Sequence, residues 1–478
     1  MLFPTIDFAI FFAVVFLGNW LLSPSPRRWK PFILTASYVF YAWWDWRFVL
    51  LLAVSTLISA VGGLAVAQGR TRRARRGALV MSVVGHLALL GWFKYYGFLS
   101  VTFDNALHSL GLHATPLPPL SVTLPVGISF FTFMGLSYVI DIYRRDLEPA
   151  PFLDVAVYVA FFPHLIAGPI VRGRDLLPQI ARSRLRDPRK VEFPEAAYLI
   201  MGGLFKKVVI SSYVSSAIVG PVFNNPTVHT APEILLAVYG YAVQIYCDFS
   251  GYTDIAIGVA LLLGFRFPQN FDRPYAARSL QDFWRRWHMT LSSWLRDYLY
   301  IPLGGNRGPR RQVARNIMIT MLLGGLWHGA AWTFVAWGGI HGVGQVAGHL
   351  HRERRVAQGR APEPTGRAAL LLGRLCTFHV VCLGWLFFRA DTFGTAFTLL
   401  RRLFTTWGEA APLFRLPVVA TIVGSIALQY LPKGLAEAVQ VRFAAMHAGA
   451  KAAFLGCGLL LITTLGPPGV APFIYYKF

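Results

Sequence analysis

Three stretches combine residue types that do chemistry with surroundings that normally exclude them. In residues 316–342, NIMITMLLGGLWHGAAWTFVAWGGIHG, His328 lies inside an apolar run. An ionisable side chain at bilayer depth is expensive and is a functional candidate on that ground. Histidine titrates near neutrality, which suits a general base for acyl transfer to a hydroxyl. The competing reading is a packing histidine hydrogen-bonded in a helix bundle. Gly325 with Gly329, and Gly338 with Gly342, form two small-xxx-small pairs that let a helix or a thin ligand approach the backbone.

In residues 281–300, QDFWRRWHMTLSSWLRDYLY, Trp284, Trp287, His288, Leu291, Trp294, Leu295 and Tyr298 recur at helical spacing, while Arg285, Arg286, Ser293, Arg296 and Asp297 crowd the other side. This pattern predicts an amphipathic helix at the membrane interface or along a wet cavity. An anchor of Trp and Arg accounts for most of it, but not for His288 among the aromatics. In residues 244–258, QIYCDFSGYTDIAIG, Asp248 and Asp254 interrupt an apolar run, and a structural or supporting role is favoured for both. Trp327, Arg285, Arg286, Arg296 and Asp248 are the candidates for substrate contacts beside the two histidines. The basic loop from Gly304 to Arg315 suits an anionic ligand, although membrane-side charge bias explains any single arginine equally well. His164 is expected to line a cavity or to pack, and Arg389 with Asp391 to form an ion pair at a helix end. There is no GxSxG elbow, Walker loop, GxGxxG, HExxH or CxxC, so neither a serine nucleophile of its own nor a metal site is expected.

The elements that position these residues follow from composition. Of 478 residues, 55% are hydrophobic and 14% charged, against roughly 25% charged in a soluble domain. A bilayer is the natural solvent for such a chain. The net charge of +23 fits basic loops facing lipid headgroups better than nucleic acid, for which no binding motif appears. Candidate spans near 5–22, 31–46, 47–67, 77–99, 120–140, 151–170, 194–222, 232–263, 316–347, 368–388, 413–430 and 452–470 predict ten to thirteen crossings in one membrane domain over 1–478. The first is read as a retained span. Basic clusters at 27–30 and 70–76 would face the cytoplasm, leaving the N-terminus and the low-charge stretch 101–119, with His108 and His113, outside. Residues 356–367 read as a linker. Cys247, Cys376, Cys382 and Cys457 sit in apolar runs and read as buried thiols. No internal repeat is visible, which weakens a transporter reading.

WRRWHMTLSSWLRDYLYIPLGG (284–305) and GGLWHG (324–329) together strongly resemble the membrane-bound O-acyltransferase superfamily, nearest its bacterial polysaccharide branch, typified by the membrane subunit of alginate O-acetylation. LPVGISFFTFMGLSYVIDIYRR (124–145), FFPHLIAGPIVR (161–172), QIYCDFSGYTDIAIG, GFRFPQNFDRPY (264–275), WLFFRAD (385–391) and the final FIYYKF agree with it. The resemblance implies an all-α polytopic fold: a ring of about eleven membrane helices, with re-entrant and interfacial helices, around a thin centre. It makes His328 the catalytic residue and puts His288 at a second polar position, where many eukaryotic relatives carry Asn or Asp. It also implies acetyl-CoA as a cytoplasmic donor, with no bound cofactor. It further implies a periplasmic SGNH-type partner, a polysaccharide as final acceptor, and residence in the bacterial inner membrane. Acylation of peptidoglycan or teichoic acid, acyl transport without chemistry, and a scaffold for the partner enzyme are the alternatives.

Overall fold

The computed structural model describes residues 1–112, 123–183, 186–467 and 473–474. All the regular structure among them is helical. The chain forms two compact units, Met1–Ala196 with Ala256–Pro268, and Ala197–Ile255 with Gln269–Phe478.

The first unit holds α1 (Ile6–Leu22), α2 (Pro26–Ala42), α3 (Arg47–Gln68), α4 (Arg72–Ser109), α5 (Ile128–Arg144), α6 (Phe152–Ala160) and α7 (Gly173–Ala181). Thr5 and Thr71 start α1 and α4 by accepting the Phe8 and Ala74 amides, which satisfies donors that a helix start leaves open. Small residues seat α3, α4 and α5 against one another. A Cβ at Gly135 would lie 2.1 Å from the His86 ring and 2.7 Å from Ser59 Oγ. His86 itself is satisfied, with Nδ1 on the Ser82 carbonyl at 2.9 Å and Nε2 on Ser59 Oγ at 3.1 Å. His164 has a packing position: fully buried, its Nε2 donates to the Tyr158 carbonyl at 3.0 Å, and its ring stacks on Phe267.

Two long helices follow, α8 (Phe193–Asn224, with π-helical turns) and α9 (Ala231–Leu262). The rest of the second unit comprises α10 (Leu280–Trp284), α11 (Met289–Leu295), α12 (Arg310–His328), α13 (Trp332–Ala357), α14 (Arg367–Arg389), α15 (Phe393–Thr405), α16 (Leu416–Ala427), α17 (Lys433–Ala445) and α18 (Ala448–Leu465). The segment 356–367, read from the sequence as a linker, joins α13 to α14 within the second unit. Arg389, at the end of α14, lies 3.6 Å from Asp391.

Among the described residues, six helices are long and apolar enough to cross a membrane: α3, α4, α8, α9, α14 and α18; a bent pair over 416–445 makes seven. The chain is a multi-pass membrane protein. The other expected spans are shorter or interrupted: α1 and α5 have 17 residues each, and the run 151–170 breaks after Ala160. The expected span 316–347 is instead two helices, α12 and α13, with Gly329 and Ala331 extended between them. The expected amphipathic helix over 281–300 is also broken, between α10 and α11, at His288. Residues 101–109 extend α4 rather than forming a loop, whereas His113 lies outside the described residues, as do 475–478 of the final motif. Only Cys247 and Cys382 are buried; Cys376 and Cys457 are exposed. An apolar run in a membrane helix faces lipid as readily as protein, so apolarity does not fix burial here.

Candidate active site

His328 is the last residue of α12, and Gly329 leaves the helix with an extended backbone. Helices α12 and α13 form a tight hairpin in which glycines stand at two close backbone approaches. A Cβ at Gly325 would lie 2.3 Å from the Phe334 carbonyl oxygen, and one at Gly338 2.4 Å from that of Met321. One glycine of each sequence-identified pair therefore brings backbone to backbone, while Gly329 and Gly342 face the Phe334 ring and the Met318 sulfur. The closure encases His328, which is 2% exposed, in aromatic rings. Ring centroids of Trp327 and Trp337 lie 4.9 Å away, and that of Phe388, from α14, 5.3 Å.

His288 reaches the same cluster from the break between α10 and α11. Its backbone is left-handed, with φ of 41°, a conformation uncommon outside glycine. Asn270 holds it there. The Asn270 carbonyl accepts the Met289 amide at 2.9 Å, and its side-chain Oδ1 accepts the Thr290 amide at 3.2 Å and the Thr290 hydroxyl at 2.9 Å. A residue eighteen positions upstream thus caps α11 in place of the local N-cap side chain. The same Oδ1 lies 3.1 Å from His288 Nδ1. Since a backbone amide donates to that oxygen, it is an acceptor, and Nδ1 of His288 must carry the proton it donates. Burial pushes the His288 pKa down to about 3, so the ring is neutral and Nε2 presents a lone pair. This short element does not span the membrane.

Trp327 joins the two histidines. Its ring lies 6.0 Å from that of His288 and 4.9 Å from that of His328. Phe249, next to Asp248 on α9, packs edge-on against His288 at 4.7 Å. Behind Trp337 is a third buried histidine, His341, whose Nδ1 accepts from the Trp284 indole at 3.3 Å.

The remaining sequence candidates divide. Asp248 is buried and ion-paired with Lys207, and its Oδ2 accepts the Ile474 amide at 2.9 Å, so it ties α8, α9 and the C-terminal segment together. Asp254 pairs with Lys206. Arg286 is held by Asp282 at 2.8 Å and Arg296 by Asp297 at 2.7 Å; Arg285 and Arg296 are exposed. The expected basic loop ends earlier than Arg315, because Arg310, Arg311 and Arg315 belong to α12, where Arg310 pairs with Glu353 at 2.8 Å. The structure thus brings His328, His288 and Trp327 together, and engages Asp248, Arg286 and Arg296 with local partners. Sequence reading missed Asn270, Lys207 and the Trp337–Phe388 wall. Asn270 carried one signal, a place in the motif GFRFPQNFDRPY, but its target is remote in sequence.

Residues 87–355, a span containing both histidines and Asn270, match the model of the membrane-bound O-acyltransferase family. The chain belongs to this family. As a membrane-bound O-acyltransferase it is 42% identical to the probable alginate O-acetylase AlgI of Pseudomonas aeruginosa, over 90% of this chain and 80% of that protein. It is 35% identical to the peptidoglycan O-acetyltransferase of Helicobacter pylori, over 83% and 78%. It is 28% identical to the teichoic acid D-alanyltransferase of Bacillus subtilis, over 58% and 71%. These O-acyltransferases are what the chain is similar to, and the enzyme class is common to them.

Proposed function

We propose that this O-acyltransferase moves an acetyl group from cytoplasmic acetyl-CoA toward O-acetylation of an extracytoplasmic polysaccharide, with His328 as general base. The observation that carries the reading is the convergence of His328 and His288 on one indole, Trp327, inside an aromatic enclosure. In this reading a hydroxyl, on a small carrier or on a periplasmic SGNH-type partner that completes delivery to the glycan, is the acceptor. His328 takes its proton as the oxygen attacks the thioester carbonyl. The imidazolium then returns the proton to the departing thiolate. His288, protonated at Nδ1, offers Nε2 as an acceptor, which favours positive charge on His328 and does not suit donation to an oxyanion. The aromatic walls exclude water, which strengthens these interactions and limits hydrolysis. The enzyme would sit in the bacterial inner membrane with its N-terminus outside. Higher identity to the alginate O-acetylase than to the peptidoglycan and teichoic acid enzymes favours an exopolysaccharide acceptor.

The test is glycan-linked acetate in deletion cells complemented with wild type, His328→Ala or His288→Ala, with membrane levels of each protein measured in parallel. His328→Ala is expected to reduce acetate to the level of the deletion at normal protein level. Full acetate with His328→Ala would overturn the assignment and favour an acyl transporter or a scaffold.

A further inference from the structure

We infer that the pocket at the C-terminal end of α1, in the first unit, binds a phosphate-bearing anion. The pocket has a volume of about 180 Å³, far more than the roughly 15 Å³ that one water requires. Trp20, Arg186, Asp187, Lys190, Glu192 and Arg266 line it. Arg186 is fixed from several directions. Its Nη1 donates to Asn19 Oδ1 at 3.1 Å and to the Leu263 carbonyl, and its Nε donates to the Ser183 carbonyl at 3.1 Å. The guanidinium stacks on Phe265 at 4.4 Å and Trp29 at 4.5 Å. Its Nη2 is buried without an acceptor among the described residues.

Two carboxylates, Asp187 and Glu192, share the lining. Glu192 is bridged to Arg266 at 2.5 Å, and Asp187 accepts the Arg189 amide at 2.9 Å. No ion pair joins Arg186 or Lys190 to a carboxylate among the described residues. A guanidinium largely removed from water, held by rings and neutral acceptors rather than by a paired carboxylate, is costly. An anion in the pocket would supply a directly paired charge and the missing acceptor. The planar fork of Arg186, with Lys190 as a second point charge, matches phosphate oxygens. The same end of α1 carries Leu17 and Leu21, 61% and 79% exposed, so the pocket adjoins a lipid-facing surface. The phosphate therefore belongs either to an anionic lipid headgroup or to a soluble phosphate.

Thermal unfolding of the detergent-purified full chain separates these sources. Phosphatidylglycerol, phosphatidylcholine, inorganic phosphate, and sodium chloride of matched ionic strength are titrated into wild type, Arg186→Gln and Lys190→Gln. Stabilisation by phosphatidylglycerol over phosphatidylcholine identifies a lipid headgroup; stabilisation by inorganic phosphate beyond chloride identifies a soluble phosphate. In either case both variants are expected to need about tenfold more ligand for the same shift, the worth of one charge-assisted contact. Lys190 is exposed, so its variant remains readable if Arg186→Gln does not fold. Equal responses to the two lipids with none to phosphate beyond chloride, or a wild-type response from Lys190→Gln, would overturn the proposal.

Discussion

The proton on His288 is set by a carboxamide. Asn270 Oδ1 takes the Thr290 amide and the His288 Nδ1–H together, so one side chain caps α11 and fixes a tautomer. Asn270→Ala removes both and should cost about 1 kcal/mol of stability as a lost cap, with a larger, at least tenfold, fall in acyl transfer. Asn270→Asp separates the two roles. Its carboxylate still accepts both bonds but favours a charged imidazole, raising the His288 pKa from about 3 toward neutrality. Below that raised pKa, Nε2 is a donor and the variant is impaired, so the acid limb of its pH–rate profile should move to higher pH. A profile identical to that of wild type would refute the tautomer assignment. At this scale the sequence was legible for the reacting types: His328 and His288 stand out as ionisable groups among apolar ones. Asn270 does not, because a polar residue in a loop looks ordinary until the fold brings its target to it.

Elements fail or hold at their contact points. A Cβ at Gly325 or Gly338 meets a backbone carbonyl within 2.4 Å, whereas one at Gly339 meets only a Leu322 methyl at 3.9 Å. Backbone cannot yield as a side chain does, and overpacking typically costs about 1–3 kcal/mol. Gly325→Ala and Gly338→Ala should therefore lower the unfolding temperature in detergent by several degrees, while Gly339→Ala leaves it unchanged. Equal behaviour of the three variants would show that the hairpin is looser than described. The long apolar helices were legible in the sequence as runs of sufficient length. The breaks at His288 and His328 were not, because apolar periodicity continues straight through both. The first is imposed by Asn270, and the second by the return of α13 onto α12.

Over the whole molecule, buried charge and lipid-facing surface decide the arrangement. Lys207 and Asp248 are 1% and 4% exposed at their side chains, and removing one partner leaves the other uncompensated. Asp248→Ala should destabilise by about 3–5 kcal/mol, seen as a loss of monodisperse protein on size-exclusion chromatography, while the double variant with Lys207→Met recovers part of it. A single variant as well behaved as wild type would deny the pair this role. The four cysteines test the surface. Cys376 and Cys457 should react with a hydrophobic maleimide in detergent-solubilised native protein, and Cys247 and Cys382 only after unfolding. Labelling of all four in the native state would contradict the packing. Membrane character was plain from composition, but the facing of each apolar helix was not, since lipid and core select the same residues.

The hairpin that presents His328 also bears on how such chains diverge. Glycine at 325 and 338 is demanded by the distance between two backbones, and no other residue meets that demand. Any descendant that keeps the hairpin should keep these glycines as strictly as it keeps the histidine. Invariance would then rank spacers with the reacting group. Only the manner of failure tells them apart: a glycine variant loses stability, and a histidine variant loses turnover.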